Sequence, residues 1–194
     1  MKKLLIITML LYPLTGFSGI YTNTNFKPYI GINGGINITD YSMTIDLENT
    51  YYSATINTGA RINSIFGAEF FFSHSSRNNL ERIYELSSTN HEIYYMSFGF
   101  DIFGYYKINH EFDLFTTFGV ANYKLYDKTT FISPYSESYK KLSDNNISTR
   151  IGIGISYTFP GQHVSGIFRF NYTPLGNKLI HTMSEFNIGM RYTF

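Results

Sequence analysis

The chain has 194 residues, with 15 Lys plus Arg against 14 Asp plus Glu and a formal net charge of +1. That balance offers no basic footprint for nucleic acid, and the absence of cysteine excludes a disulfide framework or a thiolate metal site. Tyr and Phe number 18 each while Trp is missing, and a mean hydropathy of −0.13 is far too polar for a bundle of membrane-spanning helices.

The N-terminus carries Lys2 and Lys3, then an apolar run from Leu4 to Phe17, with Gly16, Ser18 and Gly19 around its end. This is the pattern of a secretory signal peptide, with cleavage expected after Ser18. The run is too short to cross about 30 Å of hydrocarbon, and Pro13 interrupts it. Residues 1–18 are therefore expected to be a leader and residues 19–194 a single exported β-domain.

Beyond the leader, apolar and polar side chains alternate almost throughout. Tyr29–Ile38 sets Ile30, Ile32, Ile36 and Ile38 against Gly31, Asn33, Gly35 and Asn37. Ala54–Ile62 and Ile65–Ser73 follow, the latter placing Phe66, Phe70 and Phe72 opposite Gly67, Glu69 and Ser73. Ile93–Ile108, Phe112–Leu125, Ile147–Phe159, His163–Tyr172 and His181–Phe194 continue the pattern. Successive strand residues point to opposite faces, so each segment has one apolar face and one polar or small one. Eight such segments, each near the ~9–11 residues of a tilted membrane strand, predict an antiparallel transmembrane up-and-down barrel. Closure is required, because an open sheet edge leaves backbone amides unpaired in hydrocarbon.

The connections alternate in length. Asn63-Ser64, Asn109-His110-Glu111 and Pro160-Gly161-Gln162 are tight turns. Thr39–Ser53, His74–Glu92, Tyr126–Asn146 and Thr173–Ile180 are longer and more polar, as external barrel loops are. In the second of these, the spacing of Leu80, Ile83 and Tyr84 predicts a short helical turn. The polar face carries Arg61, Glu69, Asp101, Arg150, Arg169, Glu185 and Arg191. An eight-stranded lumen is only wide enough to be filled by side chains, so these charges are expected to pair into a plugged, ion-paired interior. The five histidines have no metal-ligand spacing, and no cofactor or metal is expected.

The last strand, Phe186–Phe194, puts Phe186, Ile188, Met190, Tyr192 and Phe194 on one face. It resembles the terminal strand of bacterial outer-membrane barrels, whose final Phe, and a Tyr two residues earlier, form the signal read by the barrel-assembly machinery. Ile188, Met190, Tyr192 and Phe194 are the residues that carry this resemblance. With the leader, the eight segments and the loop asymmetry, the chain resembles the small outer-membrane barrel family of OmpX/Ail-type proteins, the OmpA barrel and opacity-type surface antigens. That resemblance implies a monomer in the outer membrane of a Gram-negative cell, surrounded by outer-membrane lipid and lipopolysaccharide and delivered by periplasmic chaperones. It implies a non-enzymatic structural or adhesive role, with external loops meeting a host or surface ligand. Tyr126, Phe131, Tyr135, Tyr139, Lys140 and Lys141 in the third loop are the candidate contacts, since exposed aromatics with charge make good binding surfaces.

Two alternatives remain. Ser73-His74-Ser75-Ser76 resembles the His-x-Ser element of outer-membrane lipid A deacylases, with His74 as general base to Ser76. It departs from that family in having Arg77 where Asn follows the Ser, and in lying after the third strand. A narrow pore is the other alternative, and the charged interior opposes it.

Overall fold

The alternation does form strands, and they close into a ring. The computed structural model describes residues 26–41, 49–84, 87–133, 135–176 and 180–194; the leader at 1–18 lies outside them. Among the described residues there are nine strands: β1 Lys27–Tyr41, β2 Thr50–Arg61, β3 Phe66–Ser75, β4 Asn78–Tyr84, β5 Ser87–Lys107, β6 Phe112–Ser133, β7 Ser136–Thr158, β8 Val164–Pro174 and β9 Ile180–Thr193. Each pairs antiparallel with its neighbours, and β9 returns to β1 from Tyr29↔Thr193 to Tyr41↔Ile180. β3 and β4 both pair with β5, end to end, so the ring has eight staves.

The break between β3 and β4 has a local cause. At its edge the Tyr95 amide donates to the Ser75 hydroxyl at 2.9 Å, in place of a backbone carbonyl. Ser76 then turns to β2, accepting from the Tyr52 amide through Oγ at 3.0 Å and donating to the Tyr52 carbonyl at 2.6 Å. β4 resumes on β5 from Asn78↔Ile93 to Tyr84↔Ser87. The helical turn expected at Leu80–Tyr84 is thus a strand. Three apolar residues at helical spacing cannot outweigh a neighbouring strand that pairs every backbone group.

Two of the short turns share one device. Asn63 Oδ1 accepts the amides of Ile65 and Phe66 at 2.8 and 2.7 Å, and Asn109 Oδ1 accepts those of Glu111 and Phe112 at 2.8 Å each. An Asn side chain that takes the place of a carbonyl fixes where each hairpin reverses and hence its register. The third turn uses Gly161 at φ 70°, a left-handed conformation that glycine adopts without a Cβ clash.

Burial is inverted relative to a water-soluble sandwich. Ile32, Phe70, Phe98, Phe118 and Ile188 face outward at 57–69 % exposure, while Glu69 and Asp101 inside are at 0 %. Aromatic rings border this apolar belt. On the rim bearing the short turns, Phe112 and Tyr157 lie 4.7 Å apart, Tyr157 and Phe159 5.1 Å, and Tyr192 and Phe194 5.3 Å. Rings at both ends of an apolar belt suit the lipid headgroup level.

The other rim is lopsided. β6 and β7 pair without interruption from Phe112↔Tyr157 to Ser133↔Ser136. They are 22 and 23 residues long, about twice what crossing a membrane needs. The pairing of β7 with β8 ends at Ile151↔Tyr172, so the distal halves of β5, β6 and β7, with β4, stand clear as a four-stranded external sheet. The region Tyr126–Asn146, expected as a loop, is the end of this hairpin. Its polar residues suit a solvated ladder as well as a loop, and periodicity alone does not separate the two.

Candidate functional site: the filled lumen and the external sheet

Six of the inward charges meet. Arg191 Nη2 donates to Glu69 at 2.9 Å, and Arg169 Nη1 bridges Glu69 at 3.0 Å and Asp101 at 3.3 Å. Arg150 lies 3.4 Å from Asp101 through Nε and 3.1 Å from Glu185 through Nη2. Three arginines and three carboxylates thus form one chain that crosses the lumen between β3, β5, β7, β8 and β9. Neutral groups complete it: the Tyr29 hydroxyl and Asn57 amide donate to Glu69 at 3.1 and 2.8 Å, and the Asn171 amide donates to Glu185 at 3.2 Å. Arginine suits this role because its planar fork reaches two acids at once and stays charged when buried.

Arg61 does not join them. It sits at the short-turn mouth, 2.6 Å from Asp113, with its guanidinium 4.3 Å from the Tyr105 ring and bonds to the Asn63 and Ser64 carbonyls. Beside it lies a cavity of about 340 Å³ open to that rim, with Lys27, Tyr29 and Arg191 in its wall.

Apolar layers flank the ion chain. Phe103, Tyr105, Phe115 and Ile167 are buried toward the short-turn rim. Arg191 stacks on Tyr29 at 3.7 Å and Arg150 on Phe71 at 4.2 Å. Toward the other rim Tyr51, Phe71, Tyr95 and Tyr123 pack with Leu175, Ile180 and Met183, the last three from the β8–β9 connection and the start of β9. Asn146 and Ser148 hold that connection down through the carbonyls of Leu175 and Pro174. The alternation sets Phe71 and Tyr95 on the same face as Glu69 and Asp101, but the expectation of a polar, ion-paired lumen gave these inward rings no role. Their signal was positional: Phe71, Tyr95, Phe103 and Phe115 occur on the same alternate positions as Glu69, Asp101 and Thr117. Glycine makes room among them. A Cβ at Gly119 would collide with the Asp101 carboxylate, and one at Gly189 with the Asn33 amide.

On the external sheet, Tyr135 caps the β6–β7 hairpin at 98 % exposure, and Phe131, Ile132, Tyr139 and Leu142 below it are exposed as well. Lys140 and Lys141 are exposed on alternate faces of β7. Tyr126 lies lower, stacked on Tyr94 with ring centroids 4.8 Å apart.

His74 and Ser76 are not brought together. The His74 ring faces outward and stacks on Tyr94 at 5.9 Å, while Ser76 Oγ is engaged by the Tyr52 amide. A base–nucleophile pair needs a mutual hydrogen bond and an orienting acid. Among the described residues neither is formed around His74.

Residues 10–194 match the family model described as outer membrane protein beta-barrel domain. The chain belongs to this outer-membrane β-barrel family. No curated protein matches. Among solved structures, Ail of Yersinia pestis, in complex with the heparin analogue sucrose octasulfate, is 15% identical with a TM-score of 0.53, covering 88% of this chain and 99% of its own. Neisserial surface protein A is 16% identical with a TM-score of 0.56, covering 86% and 97%. A major outer membrane protein from Thermus thermophilus is 11% identical at 0.56, covering 86% and 99%. At such identities the likeness is one of fold. With the family match it places the chain in the outer membrane.

Proposed function

We propose that this protein is a non-enzymatic surface barrel: a plugged, ion-paired cylinder that anchors the external sheet and presents its tip to a ligand outside the cell. The observation that carries this reading is the tip itself. Tyr135, Tyr139, Phe131, Ile132 and Leu142 are exposed well beyond the apolar belt, where no lipid covers them. Exposed rings on a rigid hairpin supply contact area at little cost in conformational entropy. The nearby lysines favour an anionic partner, and a polyanion is what Ail holds in the structure above. Cells displaying the protein should adhere to sulfated-glycan-coated surfaces. The Y135S/Y139S variant, matched for surface level and heat-modifiable gel migration, should lose most of that adhesion. Unchanged adhesion reduces the role to a structural one.

The same reading favours a plugged barrel over a pore, and what supports it is the chain of ion pairs with the inward rings on either side of it. Planar bilayers should show no steady porin-sized conductance. The outward Ile188, Met190, Tyr192 and Phe194 serve assembly in this reading. Deleting Phe194 should lower outer-membrane levels before it alters any surface activity, and normal levels of the truncated protein would contradict that.

A further inference from the structure

The lumen's mouth on the short-turn rim is built unlike the ion chain behind it. Strand register brings inward side chains from around the ring together there. Lys27 on β1 pairs with Arg61 on β2, Lys107 on β5 with Asp113 on β6, and Asp113 with Ser156 on β7. Thr158 pairs with Ser165 on β8, and Ser165 with Arg191 on β9. Four cations, Lys27, Arg61, Lys107 and Arg191, thus share this mouth with one acidic side chain, Asp113. Arg191 is met by Glu69 at 2.9 Å and Arg61 by Asp113 at 2.6 Å. Lys27 and Lys107 are exposed, and among the described residues no carboxylate side chain pairs with either.

These side chains surround a hollow. The cavity of about 340 Å³ has Lys27, Arg61, Asp113 and Arg191 in its wall. A second of about 290 Å³ shares Lys27, Arg61 and Asp113 and adds Lys107. Hydroxyls make up much of the remaining wall: Ser156, Thr158, Ser165 and Thr193. Thr158 and Ser165 are already linked through their oxygens at 3.0 Å, which fixes two of these groups. One step further in along the strands, Phe103, Phe115 and Ile167 are buried. A concave mouth with apolar residues behind it and a lipid-covered wall around it has low-dielectric surroundings, which focus the field of its cations into the hollow. Hollows of this size with a few converging polar groups are those that take small ligands. At the other end of the lumen the inward layer is apolar instead, with Tyr51, Leu175, Ile180 and Met183.

We propose that this mouth binds a small soluble phosphorylated polyol. Lys27 and Lys107 hold the phosphate from the two sides of Arg61. Arg61, engaged by Asp113, contributes field rather than a direct contact. Cations converging from three strands suit the several oxygens and the double charge of a phosphate better than the single charge of a carboxylate. The wall hydroxyls both donate and accept, and so match those of a polyol. The hollow opens along the lumen and its wall is made of inward side chains, so the ligand arrives from solution. The site goes beyond the hairpin-tip reading and does not depend on what the tip binds.

The test is titration of the purified full-length barrel in maltoside micelles, followed by the amide chemical shifts of Thr158 and Thr193. The probes are glycerophosphate, glycerol and inorganic phosphate. Glycerophosphate should bind and glycerol should not. Inorganic phosphate should bind at least about threefold more weakly than glycerophosphate, the scale of a lost hydroxyl contact. K27Q/K107Q should lower glycerophosphate affinity by about 5- to 20-fold, as expected for two exposed charge contacts. K27R/K107R should retain it. K124Q, which removes the same charge from the outward wall near the other rim, should leave it unchanged. Heat-modifiable migration reports whether each variant is folded. Equal binding of glycerol and glycerophosphate, or equal losses in K124Q and K27Q/K107Q, overturns the proposal. Inorganic phosphate binding as tightly as glycerophosphate would replace it with a bare-anion site. Binding kept in phosphatidylcholine nanodiscs but lost in phosphatidylglycerol ones would make the natural occupant a lipid headgroup and overturn the soluble ligand.

Discussion

The buried arginines and the external lysines are both cations beside aromatic rings, yet they live under opposite conditions. Arg150, Arg169 and Arg191 are 2–8 % exposed, and each holds at least one carboxylate in fixed geometry. Lys124, Lys128 and Lys141 stand over Tyr126 and Tyr139 on a solvated flank. In the lumen, desolvation makes an unpaired charge expensive, so charges come in matched chains. Outside, water and salt carry most of the cost, so a lysine can remain unmatched and available. Matching marks structure, whereas an exposed lysine needs no partner to stay charged.

The sharpest way to break this contrast is Glu69→Ala. It strips a carboxylate from both Arg169 and Arg191, and should cost about 3–5 kcal/mol of barrel stability, read from the urea midpoint of unfolding in lipid. A loss below about 1 kcal/mol would mean that the lumen solvates its charges as the surface does. Gly119→Val should cost about 1–3 kcal/mol, because the new side chain meets the Asp101 carboxylate and the Phe100 carbonyl. If it is neutral, the lumen has slack that the packing does not show.

Arg61→Ala sits between the two regimes. The Arg61–Asp113 pair is 23% and 12% exposed, so its loss should cost about 1 kcal/mol or less and depend on salt. A cost equal to that of Glu69→Ala would extend the lumen's behaviour to its open mouth. Lys128→Gln should be the smallest change, within about 0.5 kcal/mol, since its side chain is 42% exposed and its pairing with Glu92 is long at 3.6 Å. A stability loss above about 1 kcal/mol there would make the external flank a structural network.

Much of this was legible from alternation. Each inward charge, from Glu69 to Arg191, lies on the small or polar face that the period of two assigns it. The return of the last strand to the first follows from the need to leave no edge in lipid. The hairpin ends were readable at Asn63 and Asn109, whose side chains cap the turns they begin. The break at Ser76 was not, because it depends on the Tyr52 backbone of another strand.

The sequence by itself determined which side of the wall each residue occupies, since that is a local property of an extended backbone. Only the tertiary structure decided which charges meet. Tilt and stagger carry Arg169 on β8 across to Glu69 on β3, while Arg61, on the same face, is left at the mouth with Asp113. It also decided that polar residues around Tyr126–Asn146 form a standing sheet, because a ladder of backbone hydrogen bonds depends on the neighbouring strand and leaves little trace in a solvated segment's own composition.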